Sequence, residues 1–133
     1  MAAYDEGADV FRTTCKLGTG FDDVTLNSLP EKLKSLKRDR RPARVDSNLD
    51  ADVWFDPEVV LEVRGAEITV SPVHTAARDA IRPGAGLAIR FPRFTGRWRD
   101  DKGPEDATTT KELLEMYRGQ MKQAKREPRI SST

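Results

Sequence analysis

Residues 90–102 form a basic-aromatic run, Arg-Phe-Pro-Arg-Phe-Thr-Gly-Arg-Trp-Arg-Asp-Asp-Lys, which contains five cations and three aromatic rings. Arginine presents a planar fork of donors that matches phosphate oxygens, and an aromatic ring beside it can stack on a base or enter a groove. The run also fits a β-strand that buries alternate side chains and leaves its arginines in solvent. The residues alone therefore leave two interpretations open: a polyphosphate or nucleic-acid site, and an ordinary strand.

The sequence around this run favours the first interpretation. As a whole, Gly86 to Thr110 resembles the terminal signature of ATP-dependent DNA ligases of the archaeal and eukaryotic type. In that family the last nucleotidyltransferase motif reads Arg-x-Asp-Lys, which matches Arg99-Asp100-Asp101-Lys102 here. Thr95-Gly96 departs from the pattern, since many relatives have a single residue at this point, and the departure bears on the placement of Arg97.

The resemblance continues upstream to the C-terminal oligonucleotide-binding (OB) domain of these ligases. It rests on four further segments, namely Cys15–Phe21, Leu29–Leu33, Val53–Pro57 and Ser71–Arg78. The resemblance implies a mainly β fold with helices, an OB-fold barrel that lacks its first strand, over residues 1–107. An amphipathic C-terminal helix is expected at residues 108–125 and a disordered tail at residues 126–133.

The same resemblance implies a nucleotide-binding role for the end of the basic-aromatic run. Arg99 and Lys102 would orient the phosphates of ATP while the enzyme is adenylated, and Asp101 would orient these two cations as a third catalytic residue. Arg97 would also bind the nucleotide. ATP and Mg²⁺ would be held mainly by the adenylation domain of a ligase.

A DNA-binding surface is implied as well. Phe91 would enter the minor groove of nicked double-stranded DNA, and Arg90 would help to hold the closed ring of ligase domains. The residues expected at the DNA are Lys16, Arg38, Arg41, Arg90, Phe91 and Arg93. The cluster of cations between Lys32 and Arg44 fits this role, although charge runs are about as often solvated faces.

The chain lacks the nucleophile of the ligase family, which is a lysine in a Lys-x-Asp-Gly motif. We therefore expect it to be inactive alone and to work with the adenylation and DNA-binding domains of a ligase. The alternative is a freestanding, non-catalytic OB-fold module that binds DNA. A barrel without its first strand would expose an unpaired edge, which predicts self-association.

Composition sets further limits. The formal net charge is only +1, so affinity for nucleic acid must come from local charge separation. The single cysteine, Cys15, excludes an intrachain disulfide and is expected to be a buried structural thiol. His74 is the only histidine and has no partners at ligand spacing, so no metal site is expected. No membrane segment or signal peptide is recognisable, and a cytoplasmic protein, nucleoid-associated or nuclear, is expected.

Local patterns predict several elements. The β-branched runs Val59–Val63 and Glu67–Val70 flank Arg64-Gly65-Ala66 and predict a hairpin, and Leu87–Phe91 predicts a further strand. Thr109 and Glu112 have the spacing of a capping box, which predicts the start of the C-terminal helix.

Overall fold

The computed structural model describes residues 1–126, so the predicted tail lies outside the described residues except for Arg126. Within this range the chain forms short strands and two α-helices, α1 (Asp23–Leu33) and α2 (Thr110–Arg126). The strands are β1 (Ala2–Asp5), β2 (Val10–Thr13), β3 (Lys37–Arg38), β4 (Val45–Asp46), β5 (Trp54–Phe55), β6 (Leu61–Arg64), β7 (Glu67–Ser71), β8 (Gly86–Arg90) and β9 (Arg93–Trp98). The predicted mainly β class with a C-terminal helix is confirmed.

Strands β6 to β9 form two antiparallel two-stranded sheets that follow one another along the chain, and we call the two together the ribbon. β6 pairs with β9, with Val63 opposite Phe94, and β7 pairs with β8, with Ile68 opposite Ile89. β6 and β7 therefore follow one another along one side of the ribbon, while β8 and β9 follow one another along the other. The predicted hairpin between β6 and β7 is wrong. Both β-branched runs are strands, but each pairs with a later part of the chain.

The ribbon has a kink where the hairpin was expected, at Gly65-Ala66 on one side and Phe91-Pro92 on the other. The Ala66 N–H donates to the Arg90 carbonyl at 2.9 Å, which carries the ladder past the interruption. A Cβ at Gly65 would lie 2.1 Å from the Ile89 Cγ2 atom, so the ribbon leaves no room there for a side chain. A glycine between two apolar runs marks either a turn or a close approach of this kind, and sequence alone does not distinguish them.

A second sheet joins β1, β2 and β4, with β1 antiparallel and β4 parallel to β2. Beyond β2, the chain continues alongside the ribbon: the Thr14 carbonyl accepts from the Ile89 N–H at 2.8 Å, and the Thr19 carbonyl accepts from the Phe94 N–H at 2.8 Å. None of the sheets formed by residues 1–126 closes on itself. The closed OB barrel therefore stays a prediction.

The hydrophobic core is small and lies between the ribbon, β1 and α2. Its buried members are Ala3, Ile68, Ala76, Leu87 and Leu113. Cys15 is also buried, as predicted, and burial raises the pKa of its thiol.

Helix α2 is held against the ribbon by specific polar contacts. The capping box is confirmed, because the Thr109 Oγ1 atom accepts from the Glu112 N–H and the Glu112 carboxylate accepts from the Thr109 N–H, both at 3.1 Å. Further along, the Gln120 side-chain amide bonds both the N–H and the C=O of Ile68, each at 2.8 Å. These two groups point away from β8, so Gln120 occupies the outer edge of β7.

Candidate functional site

Strand β9 buries part of the basic-aromatic run and exposes the rest. Phe94 is buried and stacks on Phe21 with 4.8 Å between ring centroids, and Trp98 lies 5.1 Å from Phe94. Arg93 and Arg97 on the same strand are exposed. Two of the three aromatic rings are therefore packing residues, and the arginines remain accessible to a ligand.

The turn at Gly18-Thr19-Gly20 positions the start of β9. Gly20 has a φ of 97°, and a Cβ there would lie 2.2 Å from the Phe94 carbonyl oxygen. Only glycine meets both requirements, because L side chains avoid this backbone region and the space is filled by main chain. Gly20 therefore serves a close backbone approach, whereas a Cβ at Gly18 would meet nothing within 4 Å.

The turn after β9 holds the Arg99–Asp101 pair. Arg99 donates from Nε to Asp101 Oδ1 at 3.0 Å and from Nη2 to Asp101 Oδ2 at 2.9 Å. The hydrogen bonds from Arg99 lower the pKa of Asp101 to about 2 and raise that of Arg99. The two hydrogen bonds fix the direction of the guanidinium. Because Nη1 takes no part in them, it keeps its donors for a phosphate.

The backbone of this turn gathers the predicted nucleotide-binding residues. The Arg99 N–H donates to the Val60 carbonyl at 2.8 Å, which ties the turn to the chain just before β6. The Lys102 N–H donates to the Arg99 carbonyl at 3.1 Å, so both cations lie on one tight turn. The structure thus brings Arg99, Asp101 and Lys102 together.

Arg97 lies at the same end of the ribbon and contacts Glu62, a residue that the sequence did not indicate as part of the site. Its Nη1 atom lies 3.7 Å from a carboxylate oxygen of Glu62 on β6. After the Asp101 contribution, the negative charge of Glu62 also raises the pKa of Arg99. Only the cross-strand register, with Leu61 opposite Trp98, reveals that Glu62 lies beside these arginines. We name Arg97, Arg99, Asp101 and Lys102 the turn group of residues.

The other end of β9 carries the kink and an exposed aromatic ring. Phe91 is 69% exposed and has a φ of 52°, a backbone region that costs a residue other than glycine roughly 1–3 kcal/mol. The Arg90 guanidinium lies 4.8 Å from the centroid of the Phe91 ring, and its Nη1 atom donates to Glu67 at 2.9 Å. A strained, exposed aromatic residue is unfavourable for folding alone, which makes Phe91 a candidate for binding.

Two predicted DNA contacts lie beside this kink. Lys16 is exposed on the segment between Thr14 and Thr19, which runs along the ribbon at the level of the kink. Arg93 is exposed on β9, directly after the kink, and its stem packs against Gly20. We name Lys16, Arg90, Phe91 and Arg93 the kink group of residues.

Arg38 and Arg41 lie elsewhere, in an open groove of about 930 Å³ that shares no lining residue with the kink group. Arg38 forms an ion pair with Asp56, and Arg41 donates to the Ser47 carbonyl at 3.2 Å. Arg44 in the same groove is paired with Asp9 at 2.6 Å and Glu105 at 3.0 Å. The groove is thus basic but partly neutralised, and the structure does not bring its arginines to the ribbon.

Comparison with known proteins identifies the family. A family model described as the C-terminal region of ATP-dependent DNA ligase matches residues 1–102. The chain belongs to this ligase family. The matched region ends at Lys102 and so contains every residue of the turn group and of the kink group.

Individual ligases are similar over nearly the whole chain. The DNA ligase of Pyrobaculum arsenaticum is 58% identical over 96% of this chain and 22% of its own length. DNA ligase 2 of Thermofilum pendens is 60% identical over 93% of this chain and 21% of its own length. The DNA ligase of Thermoplasma volcanium is 56% identical over 92% of this chain and 21% of its own length. The chain spans about a fifth of the length of these ligases.

One further finding concerns membranes. Within residues 1–126, no helix is both long and apolar enough to cross a bilayer.

Proposed function

We propose that this chain acts as the C-terminal domain of an ATP-dependent DNA ligase in two successive orientations. In the first, the turn group of residues closes over ATP while the enzyme is adenylated. In the second, the kink group faces the minor groove of nicked double-stranded DNA while the phosphodiester bond forms. Its partners are then the adenylation and DNA-binding domains of the ligase and the nicked duplex, in the compartment that holds the DNA.

The observation that carries this proposal is the position of the two groups at opposite ends of β9. The strand contains six residues, which span roughly 20 Å at the usual rise per residue. Phe91 precedes the strand and Arg99 follows it. One rigid placement of the domain cannot hold both ends at the active centre of the ligase, whereas two successive placements can.

In the adenylation step, charge develops on the pyrophosphate that leaves when the lysine of the neighbouring domain attacks ATP. Fixed cations that meet this charge lower the barrier because they need no reorganisation. Asp101 holds the Arg99 fork in one direction, and Lys102 supplies a second positive charge from the same turn. Mg²⁺ bound with ATP would neutralise further phosphate charge. The Asp101 carboxylate is engaged by Arg99, so this turn suits phosphate rather than a metal ion.

In the sealing step, Phe91 presses into the minor groove beside the nick, and Arg93 and Lys16 contact phosphates. Apolar wedges that enter the minor groove unstack base steps and bend the duplex. Phosphate contacts give affinity that falls with salt and carries little sequence preference. The exposure of the Phe91 ring and the exposed cations beside it support this role.

A test of this proposal separates the two steps in an intact ligase that carries this domain. Arg99→Gln should slow formation of the lysine–AMP adduct by roughly 100-fold or more, the usual effect of removing one fixed donor. Phe91→Ala should leave that step unchanged and slow the sealing of pre-adenylated nicks by roughly 10-fold or more.

Met116→Ala is a matched control, because Met116 is a half-exposed apolar residue on α2, a helix that contributes no residue to either group. It should affect neither step. If Phe91→Ala slows adenylation more than sealing, the assignment of the kink group to DNA is wrong. If Arg99→Gln affects neither step while the chain still binds nicked DNA, a non-catalytic DNA-binding module is the better description.

A further inference from the structure

Glu67 is connected to the exposed ring of Phe91 by two successive contacts. Glu67 lies directly opposite Arg90 in the β7–β8 ladder, and the Arg90 Nη1 atom donates to the Glu67 Oε1 atom at 2.9 Å. The same guanidinium lies 4.8 Å from the centroid of the Phe91 ring. The carboxylate therefore holds the cation that covers one face of the ring.

Phe91 needs such support because its surroundings provide little packing. Its ring is 69% exposed and its backbone is in the left-handed region, opposite Gly65-Ala66 at the kink. A flexible ring would have to be ordered when it enters the groove, and this cost would lower the fraction of bound duplexes that are distorted. A cation stacked on the ring and anchored from the neighbouring strand fixes the ring beforehand.

We propose that Glu67 is a positioning residue for the Phe91 wedge. It acts through Arg90, which it holds over the ring so that Phe91 projects from the kink in the orientation that enters the minor groove. The Glu67 contact uses one guanidinium nitrogen of Arg90, so the remaining donors can bind a phosphate or another domain. This inference rests on the proposed role of the kink group at DNA.

For Glu67, charge and positioning predict changes in two different quantities, and this allows a sharp test. A carboxylate near DNA phosphates repels them, so its removal should strengthen binding if charge is all that matters. If Glu67 positions Phe91, its removal should instead weaken the distortion of the nick, whatever happens to affinity. Measurement of affinity and distortion on the same complex distinguishes the two effects.

The experiment uses the full 133-residue chain and a nicked duplex that carries 2-aminopurine beside the nick. Fluorescence anisotropy gives the affinity, and 2-aminopurine emission at saturating protein reports unstacking. We expect the unaltered chain to raise the emission. Glu67→Gln should bind as tightly or more tightly, yet its rise in emission should be roughly two- to fivefold smaller, as expected for an exposed ion pair and cation–π contact.

Three variants sharpen the result. Glu115→Gln removes an equal charge from an exposed position on α2 and should leave the emission unchanged. Glu67→Asp keeps the charge but shortens the reach, so its emission should lie between those of the unaltered chain and Glu67→Gln. In a Phe91→Ala background, Glu67→Gln should have no further effect on emission, because the ring on which it acts is gone.

The outcomes separate this inference from the proposed function. If the unaltered chain raises the emission and Glu67→Gln raises it equally, the positioning role is wrong and the DNA role of Phe91 stands. If the unaltered chain binds without changing the emission, the wedge role of Phe91 is wrong and the inference falls with it. An equal thermal midpoint for the unaltered chain and Glu67→Gln is expected, since both partners of the ion pair are largely exposed.

Discussion

The acid–base equilibrium of one residue, Asp101, tests the geometry of the turn group. Hydrogen bonds from Arg99 lower the pKa of Asp101 to about 2, below an ordinary value of about 3.9. Because the pKa is lower in the folded state, the charged pair stabilises the fold above about pH 4 and loses this effect as the pH falls toward 2. A carboxyl NMR titration should therefore give Asp101 a midpoint near 2, and Arg99→Gln should raise it. A midpoint that Arg99→Gln does not change would show that the pair does not form in solution.

Gly20 is a second residue whose replacement has a definite outcome. Its φ of 97° and the 2.2 Å approach of a Cβ to the Phe94 carbonyl oxygen predict that Gly20→Ala lowers the free energy of unfolding by roughly 1–3 kcal/mol. The matched control is Gly119→Ala in α2, where a Cβ would meet nothing within 4 Å. That change should stabilise the chain by about 0.5–1 kcal/mol. Equal thermal unfolding of the two variants would contradict this description of the turn.

In the sequence, three residues of the turn group are visible as a motif, whereas their cross-strand partners are not. Arg99, Asp101 and Lys102 form a contiguous motif, and the structure places them on one turn. Glu62 and Glu67 were not predicted, because each meets its arginine across a strand pair. Their role depends on the register of the ribbon, and a cross-strand neighbour is not visible in a single sequence.

Among the elements, α2 is attached to the ribbon in a way that a single substitution can test. Gln120→Leu removes both hydrogen bonds to the main chain of Ile68 and leaves these groups without that partner. We expect the free energy of unfolding to fall by roughly 1–3 kcal/mol and the Ile68 amide to exchange faster with solvent. Lys122→Leu makes the same kind of change at an exposed position of α2 and should alter neither quantity. Unchanged exchange at Ile68 in Gln120→Leu would mean that α2 does not cover β7.

The same contact bears on the predicted self-association. Exposed strand edges pair with other chains, and native proteins cover them with helices or loops. Gln120 provides such a cover for β7 at Ile68. Self-association through another edge stays a prediction, which light scattering over a range of concentrations would test.

Element positions were predictable from sequence to a greater extent than element pairing. The capping box predicted the start of α2, because its hydrogen bonds are made within one turn of the chain. The strands β6 and β7 were also located correctly. Their partners were not, because Gly65 fits a turn and a kink equally well, and the choice depends on residues about 25 positions away, such as Ile89.

For the whole molecule, the net charge of +1 means that the proposed DNA affinity must come from local charge, and its salt dependence can be measured. Each phosphate contact contributes about 0.9 to the slope of log affinity against log salt concentration. If Arg41 in the groove contacts a phosphate, Arg41→Gln should lower this slope by roughly that amount. Lys111→Gln removes a charge from the exposed first turn of α2 and should leave the slope unchanged. An unchanged slope for Arg41→Gln would remove the groove from the DNA-binding surface.

Because the chain spans about a fifth of the length of the related ligases, the most direct measurement combines it with a ligase adenylation fragment. The chain is mixed with a ligase adenylation fragment that lacks its C-terminal domain, together with ATP and Mg²⁺, and formation of the lysine–AMP adduct is followed. We predict that the chain stimulates adduct formation and that Arg99→Gln or Lys102→Gln abolishes the stimulation. Absence of stimulation by the unaltered chain, with salt-sensitive binding to nicked duplex retained, would contradict the proposed role in adenylation.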